Sequence, residues 1–118
     1  MITQAISEQA STLQELLAGT CKVYTDPPRA LKALAAAEPV AILVDPDISL
    51  DGYSQATLEF TVWLAAPGTD TDQARRFFDT ALEALAAIGF DTARAEMMQA
   101  PARSYIAYRI TYTTTYTL

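Results

Sequence analysis

Three aspartates, Asp45, Asp47 and Asp51, fall within one short polar stretch, DPDISLDGYSQ. Carboxylates at this spacing supply the hard oxygen ligands that calcium or magnesium prefers. The pattern departs from the twelve-residue calcium loop: counted from Asp45, the fifth position is Ser49 and the twelfth is Ala56 instead of a bidentate glutamate. A solvated turn, or a loop offered to another subunit, accounts for the same residues without a metal, and Tyr53 in that loop is then a candidate contact residue. Asp70, Asp72, Asp79 and Glu83 form a second set of acids that paired-carboxylate hydrolysis could use. Their positions equally suit the first turn and the solvent face of an amphipathic helix.

Other chemistries are removed by composition. The chain has no histidine, so the usual general base at neutral pH and the commonest metal ligand are both missing. Cys21 is the single cysteine, which excludes an internal disulfide and a cysteine-built zinc site, and it lacks a histidine to activate it as a nucleophile. The four glycines stand far apart and make no phosphate-binding loop. Fourteen acids against eight bases give a net charge of -6, and Arg75-Arg76 is the only basic doublet. That balance argues against gripping a nucleic-acid backbone. No catalytic residue, cofactor site or metal site is assigned.

The elements that would hold these residues read as follows. With 118 residues and 51% apolar content the chain predicts one globular domain. Ile2, Ile6, Leu13, Leu16 and Leu17 lie near helical spacing, so residues 3–18 predict a helix closed at Gly19. Residues 21–25 predict a short strand, stopped by Asp26-Pro27-Pro28, and alanine-rich 29–37 predicts a helical turn or short helix. Residues 40–44 predict a strand, and 45–55 a loop with Pro46 and Gly52 as breakers. Residues 57–65 alternate, with Leu58, Phe60, Val62 and Leu64 facing one way.

Residues 71–88 carry the clearest helical stripe, from Ala74 through Phe77, Phe78, Ala81, Leu82 and Leu85 to Ile88, with Asp70 as N-cap and Gly89 as stop. The remainder, 90–118, predicts two strands broken at Ala100-Pro101. The order implies an α+β fold: a mixed, largely antiparallel sheet of four to five strands, with the long helix and the N-terminal helix packed on one face. The longest apolar runs are far short of the roughly 20 residues that cross a bilayer, and the N-terminus lacks the basic start of a signal peptide. A reducing cytoplasm fits that pattern.

The last strand offers a different kind of candidate. Ile106, Tyr108, Ile110, Tyr112 and Tyr116 share one face, and no charge follows Arg109. Such a strand is either an edge without the lysine, proline or bulge that keeps monomers apart, or a central strand of its own sheet. Tyr108, Tyr112 and Tyr116 suit a contact surface, since tyrosine couples apolar area to a hydroxyl. Twenty-two alanines allow close helix packing but leave few large side chains for a core, which favours a subunit stabilised by association.

The layout resembles the tail terminator proteins of long-tailed bacteriophages. The resemblance is carried by KVYTDPP at 22–28, PVAILVDP at 39–46, TLEFTVWLAA at 57–66, the helix DxARRFFDTALEAL at 72–85 and YIAYRITY at 105–112. It covers nearly the whole chain as an order of elements and an apolar pattern, with no invariant motif. It implies a non-enzymatic virion protein of the tail–neck region, assembled in the host cytoplasm. Such proteins form a ring, typically a hexamer, on the head-proximal end of the tail tube. The ring stops tube polymerisation, docks to the head–tail connector or stopper protein, and lets DNA pass through its lumen without specific binding. Neck and connector proteins of similar size are the nearest alternative, and a small ligand-binding or metal-dependent enzyme domain the other.

Overall fold

The computed structural model describes residues 1–52, 54–67, 71–88, 93–99 and 105–117. The expected N-cap Asp70, the stop at Gly89 and the break at Ala100-Pro101 lie outside the described residues, as does Tyr53. The elements run α1 (Ile2–Leu16), β1 (Lys22–Tyr24), α2 (Pro27–Ala35), β2 (Val40–Leu50), β3 (Gln55–Pro67), α3 (Thr71–Ala86), β4 (Ala93–Gln99) and β5 (Tyr105–Thr117).

The strands form one sheet in the order β1-β2-β3-β5-β4. Only β1 and β2 are parallel, as a β-α-β connection through α2 requires; every other pair is antiparallel. The α+β class and the largely antiparallel sheet are as the element order predicts.

Alternation decides which residues are buried. On β3, Ala56, Leu58, Phe60, Val62, Leu64 and Ala66 are buried on one face. They meet Leu13 of α1, Leu17 just after it, and Ala74, Phe78, Ala81 and Leu85 of α3 in one core. Phe60 stacks on Tyr112 with ring centroids 5.7 Å apart, and Phe78 meets Tyr108 edge-on at 4.8 Å. Burying each of these large side chains contributes on the order of 1.5–3 kcal/mol.

The helices do not all share a face. Ala30, Ala33 and Leu34 of α2 pack with Val40, Ala65 and Ala107 on the reverse of the sheet, bordered by Tyr24, Ile42, Trp63 and Tyr105. The small side chains Ala65 and Ala107 let this short helix approach closely. It covers only the sheet end where β2 begins and β3 finishes.

The expected 45–55 loop is instead mostly strand. β2 continues to Leu50, and β3 begins at Gln55. The register slips between Val44, opposite Thr61, and Asp47, opposite Glu59, so Asp45 and Pro46 together face Phe60 alone. This bulge absorbs the proline, which lacks an N–H to donate, and β1 reaches only as far as Ile42, so β2 is an edge there. The extra residue also resets the alternation: Leu43 and then Ile48 face the helices.

Candidate assembly surface

Asp45 and Asp47 are exposed on the outer stretch of β2, while Asp51 stands in the turn joining it to β3. The turn is pinned by the Asp51 N–H donating to the Gln55 carbonyl at 3.0 Å and by the Thr57 hydroxyl donating to the Asp51 carboxylate. Gly52 has φ +90, a left-handed conformation that suits glycine. Among the described residues no group of three His, Cys, Asp or Glu side chains could hold a metal ion. The Asp45 and Asp47 carboxylates stand exposed along one arm, with that of Asp51 bonded to Thr57 at its end. Seven acids and no lysine or arginine lie between Lys32 and Arg75, so the whole β2–β3 hairpin is electronegative.

The tyrosines do not form an outward contact face. Tyr112 is only 2% exposed, and its hydroxyl donates to Gln9 Oε1 at 2.7 Å, while Tyr116 donates to Glu8 Oε2 at 2.8 Å. Tyr108 lies half-buried beneath Phe78. These side chains fasten α1 and α3 to the sheet, and Tyr112, being buried, does not offer the contact surface expected of it. The β5 strand pairs with β3 along its whole length and with β4 from Ile106 to Tyr112, so it is central there, while 113–117 has no strand on that side among the described residues. Burial raises the Tyr112 pKa above its ordinary range, with the charge of Tyr116 adding to the effect. Burial also pushes the Cys21 thiol up to about 11, which keeps it protonated and unreactive near neutrality.

Beyond α2, the reverse face of the sheet is polar and no described helix covers it. Thr57 stands opposite Thr115 and Thr61 opposite Thr111 in a cross-strand ladder, with Glu59 opposite Thr113. Beside the ladder the Arg109 guanidinium lies 5.9 Å from the Trp63 ring centre. It also donates to Glu96 at 2.8 Å, and Arg94 reaches the same carboxylate at 3.0 Å. This Trp–Arg–Glu–Arg constellation escaped the sequence reading because its members lie on three different strands. The only signal was a tryptophan on the nominally polar side of an alternating strand.

The two sides of the sheet end differently. One ends in the outer stretch of β2, where Val44 is 37% and Leu50 is 70% exposed. The other ends in β4, where Ala93, Arg94, Ala95 and Met97 are exposed. Among the described elements neither stretch has a strand on its outer side. No protein-family model matches the chain, and comparison with curated proteins gives no match either.

Proposed function

We propose that this protein is a structural ring-forming subunit of the tail-terminator kind, acting in the neck region of a long-tailed phage virion and not as an enzyme. The observation that carries the reading is the pair of unlike open sheet margins. A ring grows by heterologous contacts, in which one surface of each copy meets a different surface of the next, and two unlike margins on opposite sides of one sheet suit that geometry. The elongated shape, 49 × 26 × 26 Å, and an exposed area of 7312 Å² support it. A compact monomer of this mass exposes roughly 6,300 Å².

In this reading the ring of about six copies caps the head-proximal end of the tail tube and joins it to the connector. The acidic hairpin with Asp45, Asp47 and Asp51 turns toward the tube or the lumen. There a negative wall repels the DNA phosphates and leaves the genome free to slide. Neither a cofactor nor a membrane takes part.

The experiment is a capping assay. Purified protein is added to polymerising tail-tube subunits and tube lengths are measured by electron microscopy. Tubes that stop growing with a ring at one end are the expected result, and growth at the unprotected rate would contradict the reading. Reversing Asp45, Asp47 and Asp51 to lysine should impair capping or DNA release; Asp45 and Asp47 reversed alone, which leaves the Thr57 bond to Asp51 in place, should do so with the fold intact.

A further inference from the structure

The β2–β3 hairpin ends in a plug. Leu50 is 70% exposed and occupies the helix-side register position opposite Ala56. Asp51 follows it directly, and Asp47 stands three residues before it on the same strand. At the opposite margin, α3 and β4 leave an apolar groove of about 160 Å³. Its floor is Leu82, Leu85, Ala93, Ala95 and Ile110, with Arg94 at the rim. An aliphatic cavity near 150 Å³ takes up benzene, so the groove has room for one leucine side chain.

The charges match as well. Among the described residues Arg94 and Arg109 share the single carboxylate of Glu96 on the reverse face of the sheet, so the β4 margin beside the groove carries two bases to one acid. The arm bearing Leu50 has three aspartates and no base. Opposite potentials of this kind steer encounter and fix register.

We infer that the hairpin tip of one copy docks in the α3–β4 groove of the next, with Leu50 seated in the groove and Asp47 and Asp51 beside that copy's Arg94. The inference rests on the ring reading and gives it a specific contact. Plug and socket lie on different sides of the subunit, so each added copy leaves one of each free until the chain of copies closes. Their separation within one subunit also prevents the plug from filling its own groove.

The test uses two surface variants, Leu50→Asp, which removes the plug, and Ala95→Arg, which fills the socket. Both positions are exposed, and circular dichroism verifies that each variant folds. Native mass spectrometry and sedimentation at about 1 mM protein reveal even a contact of millimolar Kd. The wild type should assemble, and each variant alone should stay at the 12.8 kDa chain mass. An equal mixture should give a one-to-one dimer and stop there, because it retains one intact plug and one intact socket.

Either variant assembling like the wild type would overturn the contact, as would a mixture that stays monomeric or a wild type that never assembles alone. The capping assay separates the two ideas. Tubes capped by Leu50→Asp as well as by wild type would overturn the contact and leave the ring reading standing. Failure of the wild type to cap would remove the ring reading itself.

Discussion

Ala37 sits at φ +64, the left-handed conformation that disfavours any residue with a Cβ. It follows Ala36, the C-cap of α2, and there the Glu38 N–H donates to the Ala33 carbonyl at 3.0 Å and the Ala37 N–H to the Leu34 carbonyl at 3.0 Å. These are the paired bonds of a Schellman cap, a position that glycine usually fills. Replacing Ala37 with glycine removes a strain of about 1–2 kcal/mol against about 0.4–1 kcal/mol of added unfolded-state entropy, so stability should rise by about 0.5–1 kcal/mol, a rise in Tm of about 2–4 °C. An unchanged or lower Tm would show that the strain is relieved elsewhere. A second residue-scale outcome concerns pH. The Cys21 thiol ionises near 9.0 when unfolded but near 11 in its buried site. The folded state then holds its proton more tightly, so stability is full below pH 9 and falls as pH rises toward 11. Burial of Tyr112 acts in the same direction at higher pH. Urea midpoints measured at pH 8, 9.5 and 11 should decline, and Cys21→Ala should remove the earlier part of that decline.

Among the elements, α1 is held at its middle by the Tyr112 bond to Gln9 and the Tyr116 bond to Glu8, and at its end by the Gln14 side chain, which accepts from the Val23 N–H at 3.0 Å. Tyr112→Phe should cost about 1 kcal/mol, the net worth of a part-buried hydrogen bond. Tyr116→Phe should cost less, because its bond is exposed and competes with water. Faster amide exchange in α1, with β3 unaffected, would locate the loss. The tyrosine stripe was legible in the sequence as one face of β5, but whether that face met a helix or a partner depended on tertiary packing. Helix α3 and strand β3 were readable because each keeps a single unbroken period over many residues. The outer half of β2 was not, since Pro46 reads as a breaker and the bulge shifts the period by one. Leu43 and Ile48 share a face although they are five residues apart. The side of the sheet taken by α2 was equally hidden, because alanine gives no strong apolar stripe.

The whole molecule presents more surface than a compact chain of its mass, a negative arm at one margin and an apolar groove with a basic rim at the other. The fold class follows from patterns inside single segments, whereas these surfaces bring together residues from β2, α3, β4 and β5 and have no signature in any one of them. An assembly driven partly by charge should weaken as salt shortens the Debye length from about 10 Å at 0.1 M to about 3 Å at 1 M. The apolar plug should keep part of the affinity. The most direct measurement is the mass of particles formed by the purified protein with and without tail tubes. A closed ring of defined copy number, formed alone or on the tube end, is the predicted result. A protein that stays at 12.8 kDa under both conditions, with tubes left uncapped, would contradict the account.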